Sequence, residues 1–126
     1  MDRHVARGIG DKTAFVESGG KGRTITYSGL ADATDRMVGL YRRHGIRRED
    51  RAVMIVLDTV EFPVIFWGSL KAGVTPIPVH TLLSAALFLA ILRDARANAL
   101  LVSAALLSPF PPLPALTPAP SPLTTP

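Results

Sequence analysis

The run Ala52–Leu57, AVMIVL, is the feature that most constrains how this chain can fold. It shows no polar alternation, which fits a strand buried on both faces, the kind found in parallel sheets flanked by helices. The residues after it point the same way. Asp58 and Glu61 have the spacing of a capping box, which predicts a helix start. Val60, Val64, Trp67 and Leu70 recur at helical intervals, and Gly73 predicts the helix end. Val74–Val79 is a second strand-like run. Asp50–His80 therefore reads as strand, helix, strand, in the roughly thirty residues that a βαβ unit needs.

The flanking sequence extends this unit. A short helix is expected near Arg3–Ala6. Thr13–Glu17 and Arg23–Thr26 read as strands of a hairpin around Ser18-Gly19-Gly20-Lys21-Gly22. Tyr27–His44 is amphipathic: Leu30, Ala33, Met37, Leu40 and Tyr41 form one stripe, while Asp32, Asp35, Arg36 and Arg43 face away. Thr26 is its expected N-cap and Gly45 its end, but Gly29 occupies the position where a capping box needs Glu or Gln. Pro76 and Pro78 would remove N–H donors from the same edge of their strand, which predicts a short strand or one with an unpaired side. Ser84 should cap a helix reaching about Ala95, and Leu100–Ser103 should form a third parallel strand. The fold class is α/β, a mostly parallel sheet with flanking helices.

Composition limits the function classes. The chain has no cysteine, so disulfides, thiolate metal sites and cysteine nucleophiles are excluded. The N-terminus MDRHVARGIGDK lacks the apolar core of a secretory signal, so a cytosolic address is expected. Net charge is +4 with a pI near 10.1, and Arg42, Arg43, Arg47, Arg48 and Arg51 crowd one short window. Two of these suit the last turn of a helix, and the others alternate with Glu49 and Asp50. That favours a solvated turn over a nucleic-acid patch. Val74–Leu92 carries no charge, but its prolines and polar residues break it well short of the ~20 apolar residues a membrane span requires. Neither nucleic acid nor membrane is an expected partner.

The C-terminal part is of another kind. No charged residue follows Arg96, and eight of the eleven prolines lie in Pro109–Pro126. Residues 1–107 read as the folding unit. Residues 108–126 read as a proline-rich tail, either disordered or out of frame, because such proline density opposes both helix and ladder.

Candidate sites are few. The SGGKG stretch is not a Walker-type loop, since Lys21 is followed by Gly22 and a strand rather than by Ser or Thr and a helix. Asp11-Lys12-Thr13 fails because Asp11 occupies the glycine position. His80 should lie near the carboxyl end of a strand, where α/β sheets bind ligands, but no partner acid or nucleophile is near it in sequence. His4 and His44 offer no metal-ligand spacing.

Several of these stretches together resemble a known family. Thr24-Ile25-Thr26-Tyr27 leading into a helix, Gly45 followed by Glu49-Asp50-Arg51, and Leu70-Lys71-Ala72-Gly73-Val74 with Pro76 and Pro78 are similar to the start of the AMP-forming acyl-CoA synthetases. Asp2-Arg3-His4-Val5, Gly10–Phe15, Leu57–Pro63 and Thr81-Leu82-Leu83 most resemble the benzoate–CoA ligases of that superfamily. The resemblance covers about residues 1–107. Gly29, His80, Ala85, Ala86 and Leu87 depart from the usual pattern. The resemblance implies a fold that begins an adenylate-forming N-terminal domain. It also implies a chemistry in which a carboxylate and ATP with Mg²⁺ give an acyl-adenylate, which coenzyme A then converts to a thioester.

None of the family's ATP-binding or catalytic motifs stands in these residues, so no catalytic, cofactor-binding or metal residue is assigned. The chain is expected to be an acid–CoA ligase cut short, inactive alone and prone to aggregate at its open sheet edge. The alternative is an interaction module that complements separately encoded downstream ligase segments. A small nucleotide binder is a third class, disfavoured because Leu57-Asp58-Thr59-Val60 has no phosphate-cradling glycine.

Overall fold

The computed structural model describes residues 1–19, 22–106 and 121–125. In chain order the elements are α1 (Asp2–Ala6), β1 (Thr13–Val16), β2 (Thr24–Thr26), α2 (Tyr27–Arg43), β3 (Arg51–Ile55), α3 (Glu61–Ala72), β4 (Thr75–Pro78), α4 (Ala85–Ala95), β5 (Ala99–Ser103) and β6 (Ser121–Thr125). A parallel sheet runs in the order β4-β3-β5-β6, while β1 and β2 form a separate antiparallel pair.

The unbroken apolar run of β3 is explained by helices on both faces of the sheet. Ala52, Met54 and Val56 join Ala99 and Leu101 under Met37 and Tyr41 of α2 and Ile65 of α3. The intervening Val53 and Ile55 join Leu100 and Val102 under Phe88 and Leu92 of α4. Period-two alternation thus still operates, but both phases are buried.

The two β4 prolines fall as their spacing predicts. Thr75 N donates to Asp50 O (2.8 Å) and Val79 N to Met54 O (3.0 Å), so the odd-numbered nitrogens face β3. Residues 76 and 78 turn theirs to the open edge, where a missing N–H costs the ladder nothing. Thr26 Oγ1 accepts from Gly29 N (3.1 Å) and Ser84 Oγ from Leu87 N (3.3 Å), so both expected N-caps form. Gly73 ends α3 at φ 77°, a left-handed conformation suited to glycine.

The helix expected from Val60, Val64, Trp67 and Leu70 forms as α3, but its buried side is another one, and its expected capping box is corrected. Its apolar residues at helical intervals do not form the buried face: Trp67 and Leu70 are 43% and 47% exposed. The face turned inward is Pro63, Ile65, Gly68 and Ser69. Close approach of α2 decides this, since a Cβ on Gly68 would lie 2.7 Å from Met37 Cβ. Small side chains win the contact although larger apolar ones are available. The capping box is also absent. The helix starts at Glu61, and the preceding residue Val60 gives no side-chain cap. Pro63, in the first turn, needs no partner for a nitrogen that carries no hydrogen.

The terminal segment differs from its expectation where it is described. Ser121–Thr125 run parallel to β5, with Leu100 opposite Pro122 and Val102 opposite Thr124. This is an edge position, where a single proline is tolerated. Residues 107–120 and Pro126, which hold the rest of the proline-rich stretch, lie outside the described residues.

Candidate functional site

The carboxyl ends of parallel strands are where an α/β sheet receives ligands. In this chain the turn after β3 comes first. Leu57 N donates to Ser103 Oγ (3.0 Å), which closes the gap between the ends of β3 and β5. The chain then tightens, with Thr59 N donating to Leu57 O (2.7 Å), before α3 begins.

The entrance to α3 carries an ion cluster assembled from distant parts of the sequence. Glu17 and Arg23 face one another across the hairpin base, where Glu17 N donates to Arg23 O (2.9 Å) and the side chains pair at 2.8 Å. Arg23 also donates both terminal nitrogens to the two carboxylate oxygens of Glu61, each at 2.8 Å. Glu17 Oε1 in turn accepts from Val60 N (3.0 Å), a backbone donor just ahead of the helix. One guanidinium therefore joins two carboxylates and pins the hairpin to α3.

The protonation equilibria reflect that geometry. The Val60 N–H holds the Glu17 carboxyl below the usual carboxylate range, and Arg23 adds to this against partial desolvation. For Glu61, burial pushes upward, but hydrogen bonds from Arg23 and Thr59 outweigh it and the net direction is down. Arg23 is raised by Glu61 first and Glu17 second.

Beside the cluster, β1 and the first half of α3 enclose a groove of about 390 Å³ lined by Phe15, Val16, Val60, Phe62, Phe66 and Trp67, with Asp58 and Glu17 at its polar side. Phe66 meets the Trp67 ring edge-on at 5.6 Å, and the Phe62 and Phe66 rings are near-parallel at 6.4 Å.

The residues weighed in the sequence are placed apart from this cluster. His80 does lie just past the end of β4, but its Nδ1 accepts from Leu82 N (3.1 Å) and so stabilises its own turn. His4 packs against the Tyr27 ring at 4.7 Å, and its buried Nδ1 has no hydrogen-bond partner among the described residues. His44 is the C-cap of α2. No group of three His, Cys, Asp or Glu among the described residues could hold a metal ion. Lys71 pairs with Asp35 (2.7 Å) and Asp2 (3.0 Å), and bonding to Asp35 first keeps its ammonium above the ordinary lysine range. It fastens α1 and α2 to the end of α3. The arginine window is a turn organised by Asp50, whose Oδ2 accepts from Arg47 N (2.8 Å). Gly20 and Lys21 of the glycine turn lie outside the described residues.

Sequence reasoning missed the Glu17–Arg23–Glu61 cluster. Opposite charges at the two ends of a predicted hairpin were its local signal. Nothing local connects that pair to Glu61, which is 38 positions from Arg23.

Residues 1–124 match the model of the family described as AMP-binding enzyme. The chain belongs to that family. Its relatives within the family include benzoate–CoA ligases. It is 36% identical over 103 residues to a 4-hydroxybenzoate–CoA/benzoate–CoA ligase of Rhodopseudomonas palustris, covering 82% of this chain and 19% of that protein. Against a benzoate–CoA ligase of Thauera aromatica it is 34% identical over 114 residues, covering 90% and 21%. The fold agrees with the crystal structure of a benzoate CoA ligase from Burkholderia xenovorans LB400, with TM-score 0.76 and 33% identity over 83% of this chain and 21% of that one. This AMP-binding family chain thus spans about a fifth of the length of the curated relatives it matches. The structural agreement confirms the α/β class and the expected start of an adenylate-forming domain.

Proposed function

We propose that this chain is the first α/β layer of an acid–CoA ligase for an aromatic carboxylate, and that it supplies scaffold rather than reacting groups. The observation that carries this reading is the occupied entrance to α3. A helix N-terminus is the natural place for a phosphate, but here Glu17 accepts from Val60 N and Glu61 stands in the first turn. Two carboxylates sharing one arginine repel a further anion and leave that arginine no capacity to neutralise one. The entrance to α3 therefore does not suit a phosphate, and with both glutamates held by Arg23 it offers no ready carboxylate to a cation, which supports the scaffold reading.

In this reading the overall reaction is the ATP-dependent activation of an aryl acid followed by transfer to coenzyme A, with the reacting groups supplied by other segments of the ligase. Similarity to benzoate–CoA ligases supports the aromatic substrate class. A cytosolic setting belongs to the same proposal, and no helix among the described residues is long and apolar enough to cross a membrane. The test is exchange of labelled pyrophosphate into ATP by the purified chain with Mg²⁺ and benzoate. No exchange above a protein-free control is expected, and benzoate-dependent exchange would refute the scaffold role.

A further inference from the structure

We infer that a hollow at the amino-terminal end of the parallel sheet is a binding site for a compact polyphosphate. There α2 and α3 end and β3 and β4 begin, at the opposite end of the sheet from the entrance to α3. The segments 42–51 and 93–96, which lead into β3 and β5 at that end, hold seven arginines against Glu49, Asp50 and Asp94. Seven against three equals the whole formal net charge of +4, so the remaining cations and acids of the chain cancel. Cations suit the last turn of a helix, which accounts for Arg42, Arg43 and Arg93. It does not account for Arg47, Arg48 and Arg51, which lie outside the helices.

Three of the arginines converge on one concavity. Arg42 from α2, with Arg47 and Arg48 from the turn that follows, lines a hollow of about 530 Å³ whose apolar side is Val38, Ile46 and Leu70. Arg48 lies across the end of α3, since a Cβ on Gly73 would be 3.0 Å from its Cγ and 3.3 Å from its Nε. Among the described residues no carboxylate lines the hollow, and Arg42, Arg47 and Arg48 form no ion pair. Lys71 also borders it, but Asp35 and Asp2 match that charge. Like charges held close without a partner repel, and a bound anion relieves the repulsion. Guanidinium groups take phosphate oxygens in bidentate pairs, so several arginines around one space favour a ligand with several phosphates. Size decides between ligand classes. A concavity of this volume is that of a small-molecule site, whereas a duplex or a bilayer would meet only its rim.

The test titrates tripolyphosphate into the purified full chain at low ionic strength, with binding read by calorimetry and by the shift in melting temperature. Saturable binding is expected, weakening severalfold when salt is raised to a physiological level. Arg47→Gln/Arg48→Gln should bind about tenfold more weakly or worse, because two of the three guanidinium groups are lost. Glutamine keeps the Cγ that rests against Gly73, so the fold should survive. Arg42→Gln gives a second, independent reading and should weaken binding severalfold. The control Arg7→Gln/Lys12→Gln removes the same charge near the start of α2, where Tyr27 N donates to Lys12 O, and should bind as the wild type does. Absence of binding by the wild-type chain would overturn the proposal. An equal loss in the control would overturn it too, by reducing the effect to net charge. So would a short DNA duplex that displaces tripolyphosphate and depends on the same arginines, since the hollow would then be one part of a nucleic-acid surface. None of these outcomes depends on whether the chain exchanges pyrophosphate into ATP, so the scaffold reading stands or falls separately.

Discussion

The two faces of the parallel sheet are covered by different means. On one, α4 lays Phe88 and Leu92 over Val53, Ile55, Leu100 and Val102, with apolar side chains throughout. On the other, α2 and α3 approach so closely that Gly68 touches Met37, and a buried polar pair lies between them. Ser69 Oγ donates its one hydrogen to Ile65 O (2.7 Å), so the Tyr41 hydroxyl must be the donor in the 2.6 Å bond to Ser69 Oγ. An apolar face is satisfied by volume and tolerates small shifts of register. A face with a glycine contact and a directed hydrogen bond accepts one register only.

The largest effect that would break this contrast is on the apolar face. Phe88→Ala should cost about 3–5 kcal/mol in urea unfolding, while Phe88→Leu should keep most of the stability because it nearly conserves volume. On the α2–α3 face the order should reverse, with added volume worse than lost volume. Gly68→Ala should cost about 1–3 kcal/mol, as Met37 is forced from its rotamer. If Gly68→Ala melted at the wild-type temperature, the claim of a steric register would fail.

The polar pair gives a sharper test of direction. Tyr41→Phe removes a donor and leaves Ser69 still bonded to Ile65, so it should cost about 1 kcal/mol. Ser69→Ala strands the buried Tyr41 hydroxyl and should cost more, about 1–3 kcal/mol. Equal losses would mean that the hydrogen bond runs the other way. Burial raises the Tyr41 pKa against the smaller influence of Ser69. A raised folded value means stability is intact below the unfolded tyrosine pKa of about 10 and is lost as pH rises above it. Tyr41→Phe should flatten that alkaline loss in circular-dichroism melts.

The smallest expected effect lies away from both faces, at the hairpin cluster. Glu17 and Glu61 titrate below their ordinary range, so their contribution is present above about pH 4.3 and disappears as pH falls through their folded values. Arg23→Met should lower the melting temperature at pH 7 by a small amount, because the arginine is largely solvated, and move the acid unfolding midpoint slightly to higher pH. An unchanged acid midpoint would show that the cluster is electrostatically idle.

These contrasts separate what was legible in the sequence from what was not. The β3 run, the two N-caps, Gly73 as a helix stop and the edge placement of Pro76 and Pro78 all follow from local chemistry, because each depends on neighbours within a few positions. The buried side of α3 did not. Hydrophobic spacing pointed to Trp67 and Leu70, but the inward face was chosen by how closely α2 could approach. The Asp58 capping box failed for a related reason, since Glu17 from a separate hairpin took the donor at the helix entrance.

By itself, then, the sequence determined the α/β class, the order of elements as far as β5 and the likeness to benzoate–CoA ligases. Apolar period, caps and proline spacing are encoded residue by residue. Tertiary structure alone decided which face of α3 is buried, which carboxylates meet Arg23 and where a groove remains exposed. Those outcomes depend on the distance between chain segments far apart in sequence, which close packing and long-range pairing set only when the whole layer assembles.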